Sequence, residues 1–152
     1  MVEHPQNEGT QRWPQILPGG KAVLFTAGDL APIPGQANIE VMTLGDRRSK
    51  IVVQGGTYGR YLPSGHLVYV NAGTLFAVPF KLDILEVSGT PVPMLEHVSF
   101  SPIANGGAQV DFSKSGAIVY RSGEDVGQTT VQWMDSTGTM RPLLAKPGYY
   151  GH

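Results

Sequence analysis

Side chains able to do chemistry are thinly spread through these 152 residues. The four histidines, His4, His66, His97 and His152, show no H-x-H or H-E-x-x-H spacing, so no zinc-ligand pair is placed on one face of an element. His66 directly follows a glycine turn and reads as a surface turn residue, and His97 beside Glu96 reads as a solvated side chain. Glu124 and Asp125 form a small acidic loop, but the D-x-[DN]-x-[DN]-G calcium loop is missing. Gly45-Asp46 and Asp135–Gly138 read as hairpin turns. The glycine-rich stretch Gly55–Gly59 lacks the Gly-Lys-Ser/Thr and the following helix that a phosphate loop requires, so it reads as a connection. With no cysteine there is no disulfide, thiolate metal site or thiol nucleophile. No G-x-S-x-G elbow occurs either. The expectation is a chain without catalytic residues, metal or cofactor.

What remains is a set of aromatic and charged residues on segments that read as strands: Arg12, Trp13, Arg60, Tyr61, Asp111 and Tyr149, accompanied by Tyr58, Phe112 and Tyr150. The elements that position them follow from turn chemistry. Glycine (20) and proline (12) together make up about a fifth of the chain, below the range of low-complexity disorder. They fall between short apolar runs, as turn punctuation does in an all-β chain. The best-formed instance is Tyr58–Phe80, which reads strand, Pro63-Ser-Gly65 turn, strand, Asn71-Ala-Gly73 turn, strand. Similar phrases precede and follow it, at Leu17–Gly20 and Ser113–Gly116. The turn glycines Gly20, Gly65 and Gly116 lie 45 and 51 residues apart.

Aligned on those glycines, Ile16, Tyr61 and Phe112 stand four positions earlier, and Ala22, Leu67 and Ile118 two positions later. A four-stranded unit recurring at this period is the signature of a β-propeller blade. The second strands are apolar at consecutive positions, as expected where neighbouring blades cover both faces. The predicted fold is therefore all-β, with three four-stranded antiparallel blades at about residues 10–54, 57–98 and 107–145, and residues 146–152 starting a further strand. Lys81–Thr90 is the one place where a helical turn is conceivable, although Gly89, Pro91 and Pro93 favour a long connection into a strand near Met94–Val98.

The phrases L-P-G-G-K-A-V-L-F-T (Leu17–Thr26) and L-P-S-G-H-L-V-Y-V (Leu62–Val70) resemble the TolB-like/WD40-like propeller repeats. They are similar above all to the C-terminal propellers of bacterial transmembrane serine/threonine kinases. The match to the L-P-x-G-K/H turn is close at Leu17–Lys21 and Leu62–His66 and looser at Ser113–Ala117, and the resemblance spans Trp13 to Ala145. It implies a propeller, in which the inner strands approach a central channel where ligands dock. Arg12, Trp13, Arg60, Tyr61, Asp111 and Tyr149 are the channel-facing candidates on that basis. The kinase motifs themselves are absent, so phosphoryl transfer is not expected of this chain.

Charge and hydropathy narrow the partners. Net charge is −1 and no basic run exceeds Arg47-Arg48, so no nucleic-acid footprint exists. No apolar run approaches the ~20 residues that span a bilayer, so membrane contact by this segment is not expected, and no compartment is indicated. Three blades do not close a ring of the usual ~4–8. A homodimer closing a six-bladed ring, or a fragment of a longer propeller that associates the same way, is the expectation, since head-to-tail contacts form rings when the rotation closes. The functional expectation is a non-catalytic binding, sensory or protein-interaction module, with a protein or small molecule as ligand. The alternatives are the gating portion of a serine hydrolase or peptidase whose catalytic domain lies elsewhere, and a purely structural repeat.

Overall fold

Valine, isoleucine, leucine and aromatic residues in runs of five to eight, each closed by glycine, asparagine or aspartate, favour strands joined by tight hairpins. In the computed structural model, which describes residues 9–28, 36–100, 107–123 and 130–148, those runs form 13 strands and no helix. Blade 1 is β1 (Thr10–Ile16), β2 (Ala22–Gly28), β3 (Asn38–Thr43) and β4 (Ser49–Gln54), antiparallel in that order. Blade 2 is β5 (Thr57–Leu62), β6 (His66–Asn71), β7 (Thr74–Lys81), β8 (Glu86–Val87) and β9 (Val92–Leu95). Blade 3 is β10 (Val110–Phe112), β11 (Ile118–Ser122), β12 (Thr130–Met134) and β13 (Met140–Pro142). Three antiparallel sheets in meander order, packed face to face, are blades of a β-propeller-type fold.

Two details differ from the sequence expectation. Blade 2 has five strands, because its outer edge is divided: β8 pairs the end of β7 at Phe80 and Lys81, and β9 pairs its start at Leu75–Ala77. The stretch Lys81–Thr90 holds no helical turn and instead makes this double return. The second difference is a register change in blade 1. Ile16, Tyr61 and Phe112 pair with Val23, Leu67 and Ile118 respectively, so Val23, not Ala22, is the counterpart of Leu67. The reason is one extra turn residue, since Leu17 bonds across to Ala22 over four residues while Leu62 pairs with His66 over three. Side chains alternate along a strand, so one added residue exchanges the two faces.

That exchange lets the cores form. Ala22 and Leu24 of β2, with Ile39 and Val41 of β3, pack against Leu67, Tyr69, Val78 and Phe80 of blade 2. On the opposite face of β6, Val68 and Val70, with Leu75, pack against Val110, Ile118, Tyr120 and Met134 of blade 3. Between these layers the inner strand of blade 2 comes so close to blade 1 that only glycine fits. A Cβ on Gly59 would lie 2.7 Å from Ile39 Cγ2. The last strap of blade 2 also belongs to its neighbour: Val98 N–H donates to the Gly73 carbonyl (2.8 Å), Ser99 N–H to Arg121 (2.9 Å), and Gln109 N–H to Ser99 (2.8 Å).

Two outer hairpins are closed by aspartates. Asp135 Oδ1 accepts from Thr137 N (2.9 Å) and Thr139 N (3.1 Å) as well as from the Thr137 hydroxyl. Asp46 Oδ1 accepts from the Thr43 hydroxyl and from Arg48 N (3.3 Å). The Thr137 hydroxyl above all, then the Thr139 and Thr137 N–H groups and the Arg141 charge, hold Asp135 below the ordinary aspartate range. A carboxylate whose pKa is lowered by folding contributes stability above its unfolded pKa and loses it as pH falls through the folded value.

Gly59→Ala is expected to destabilise by about 1–3 kcal/mol through overpacking against the fully buried Ile39. Gly45→Ala, with nothing within 4 Å of its Cβ, should stay within about 0.5 kcal/mol in urea unfolding. Asp135→Asn should lessen the loss of stability on acidification below about pH 4, because the lowered Asp135 carboxyl contributes to that loss alongside Asp46; an unchanged pH profile would refute that assignment.

Candidate functional site

The inner strands β1 and β5 carry the same irregularity at the same place. Arg12 pairs with Thr26 and Gln15 with Leu24, so Trp13 and Pro14 oppose Phe25 alone. Thr57 pairs with Val70 and Arg60 with Val68, so Tyr58 and Gly59 oppose Tyr69 alone. Each is a β-bulge whose first residue is left-handed, Trp13 at φ 58° and Tyr58 at φ 54°. Non-glycine residues there cost of order 1–3 kcal/mol and need surrounding contacts to hold them. Those contacts are present. The Trp13 and Tyr58 rings meet edge to face at 5.3 Å, and the Arg60 guanidinium lies 4.6 Å over the Tyr58 ring. Arg60 Nη1 donates to the Trp13 carbonyl (2.8 Å), and the Tyr58 hydroxyl donates to the Val110 carbonyl (3.2 Å). One chain of contacts thereby ties β1, β5 and β10 together.

Gln15 adds a second tie. Its side-chain oxygen accepts from Tyr61 N (2.7 Å) and its nitrogen donates to the Tyr61 carbonyl (3.1 Å), so one amide acts as a strand partner for the neighbouring blade. The glutamine thereby gives the Tyr61 N–H and C=O a partner.

Beyond these ties, toward the hairpin turns, the inner strands of all three blades line a cleft of about 760 Å³. Its walls are Gln15–Pro18 from blade 1, Arg60–Pro63 and Leu82 from blade 2, and Asp111–Lys114 from blade 3. A smaller groove of about 350 Å³ runs between the turns of blades 2 and 3, along Leu62–Ser64 and Phe112–Ile118. The main cleft combines apolar walls (Ile16, Leu17, Pro18, Leu62, Pro63, Phe112) with three charges of mixed sign, Arg60, Lys114 and Asp111. Asp111 is exposed, its Oδ1 accepting from Phe112 N at 2.8 Å. The hydroxyl at the rim, Ser113, is engaged with Ser115 (2.9 Å) and with Ala117 N (2.9 Å). Among the described residues no three histidine or carboxylate side chains come together as a cation site. The arrangement can hold a ligand by shape and by opposed charges.

Of the sequence candidates, Arg60, Tyr61 and Asp111 come together on this cleft. Trp13 and Arg12 do not line it: Trp13 is half-buried against Tyr58, and Arg12 lies on the far side of the bulge. Tyr149 lies outside the described residues. Gln15 and Lys114 are the residues that the sequence reading missed. The proline-containing turn phrase marked their neighbourhood, but a polar residue on a strand carries no sign that it reaches another blade.

No family model and no curated protein matches the chain. Among solved structures it is similar to a puromycin-hydrolysing peptidase from Mycobacterium tuberculosis, with TM-score 0.65 and 14% identity over 88% of this chain and 22% of that one. It is also similar to regucalcin, a calcium-binding protein from Agrobacterium tumefaciens, with TM-score 0.61 and 12% identity over 85% of this chain and 43% of the other. The chain thus spans less than half the length of either. At this identity the likeness establishes the architecture alone, and that architecture is the β-propeller type.

Gln15→Ala should cost about 1–3 kcal/mol, because Tyr61 N–H and C=O lose their partner at a half-buried joint. Asp111→Ala should leave the urea midpoint unchanged, and equal effects of the two would remove the distinction between tie and cleft.

Proposed function

We propose that this chain is a non-catalytic ligand-binding module of β-propeller type, of the TolB-like/WD40-like kind that its turn phrases resemble. The observation that carries the reading is the convergence of all three inner strands on one cleft, with Arg60, Lys114 and Asp111 set among apolar walls. Opposed charges at fixed positions over an apolar floor suit a small zwitterionic or peptidic ligand, oriented by charge and retained by burial. The ligand enters at the hairpin-turn end, where Ile16, Pro63 and Lys114 are exposed.

A second reading draws on the structural neighbour described as a peptidase, of which a chain like this covers 22%. In that reading the module is the access-controlling part of a hydrolase whose catalytic domain lies elsewhere. The two differ in what the chain does alone, since a gating part has no affinity for free ligand.

Amide NMR spectra of the labelled chain, recorded against a small-molecule fragment set and a set of short peptides, test this. Shifts concentrated at residues 16–18, 60–63 and 111–114, and weakened at least several-fold by Lys114→Ala or Asp111→Ala, are the expected result. Absence of binding, or shifts confined to the outer strands, would sink the binding reading in favour of the gating one.

A further inference from the structure

At its turn end, the joint between blades 1 and 2 is filled by an aromatic ring, and the joint between blades 2 and 3 is not. Phe80 lies two residues past Val78, the partner of Leu67 in the sheet. It is buried in one core with Leu17, and its ring meets Tyr61 edge to face at 6.0 Å. Its N–H donates to the Gly65 carbonyl at 2.9 Å, which sets the ring against the β5–β6 turn. β7 then runs on to Lys81, and Leu82 and Leu85 of the return pack against the same core.

Blade 3 departs from this at one residue. Met134 pairs with Ile118 as Val78 pairs with Leu67, so Ser136 stands in the place of Phe80. Asp135 closes the hairpin there, and the chain reverses instead of running on. Ser136 sits against the β10–β11 turn, since a Cβ on Gly116 would lie 3.4 Å from its own Cβ. It is exposed and brings no ring. In this joint the counterparts of Leu17 and Tyr61 are Leu62 and Phe112, both only half-buried. Over these two and Ile118 lies the groove of about 350 Å³, whose walls are the turns of two adjacent blades of the chain.

We propose that this groove is a socket for the aromatic side chain of a peptide that carries a carboxylate beside the ring. The ring follows from the neighbouring joint, where the same frame of leucine, inner-strand aromatic and glycine turn holds Phe80. There the ring is delivered by an extended strand, the backbone form that a peptide offers. The carboxylate follows from charge: among the described residues that line the groove, Lys114 alone is charged, and it is exposed. Aromatic anchors in preformed pockets carry much of the binding energy at interfaces. The groove shares Leu62, Pro63, Phe112, Ser113 and Lys114 with the main cleft, so a peptide seated by its ring continues into that cleft. The inference rests on the binding reading for this continuation and adds to it the residue class that is recognised.

Amide NMR titration of the labelled chain with the blocked tetrapeptides Ala-Phe-Glu-Ala, Ala-Phe-Lys-Ala and Ala-Ala-Glu-Ala is the test. The first should move the amides of Ser64 and Ser113–Ala117, and the other two should bind about ten-fold or more weakly. Ser136→Phe should fill the socket from within the chain, raise the urea midpoint and abolish those shifts, while Ser136→Ala should bind as the wild type does. Ala117→Leu, which fills the groove from its other wall, should weaken binding in the same way. Lys114→Glu should reverse the order of the glutamate and lysine peptides. Undiminished binding by both filled variants, equal binding of all three peptides, or benzyl alcohol bound as tightly as Ala-Phe-Glu-Ala would each overturn the proposal. Shifts confined to residues 16–18 and 60–61 would overturn the socket and leave the cleft reading standing.

Discussion

The structure depends on one strand being buried on both faces at once. In β6, Leu67 and Tyr69 point into the core shared with blade 1, and Val68 and Val70 into the core shared with blade 3. None of the four is more than 6% exposed. Each of these side chains contributes about 1.5–3 kcal/mol when fully buried, a sum comparable to the net stability of a small domain. No polar substitution along Leu67–Val70 could be absorbed by turning a face to solvent. The neighbouring blades are held in place by alternation along one short segment, and the inner ties at Gln15, Arg60 and Tyr58 fix the angle at which they meet.

Much of this architecture was legible from the chain. Unbroken apolar runs such as Leu67–Val70 signalled strands covered on both sides, and the spaced glycine turns marked three hairpins that the structure contains. What escaped notice has a common physical origin, in that it depends on counting single residues or on contacts between distant segments. Lys21 lengthens one turn by a residue and exchanges the faces of β2, although the L-P-x-G phrase looks the same in blades 1 and 2. The outer edge of blade 2 is shared by β8 and β9 because Gly89 and Pro91 interrupt the return.

The site was only partly readable for the same reason. Arg60, Tyr61 and Asp111 stood out by residue type and by place on inner strands, and they line the cleft. Trp13 stood out equally, yet its left-handed backbone directs it to Tyr58. A bulge changes where a side chain points without changing its sequence neighbourhood. Gln15 matters most to the rim geometry and was the least conspicuous, because an amide that replaces a backbone hydrogen-bond partner has no spacing of its own.

The strap at Val98–Phe100 bears on the order in which the molecule assembles. It is anchored on blade 2 through the Gly73 carbonyl, and it supplies Ser99 as the hydrogen-bond partner of both Gln109 and Arg121. Because it precedes β10 in the chain, a growing polypeptide presents it before any strand of blade 3 has been made. The third blade therefore does not need to nucleate a sheet unaided: its first residues add to an edge already displayed by a finished neighbour. Sequence-distant pairing is slow in all-β folding, and here Gln109 has its partner, Ser99, nearby along the chain.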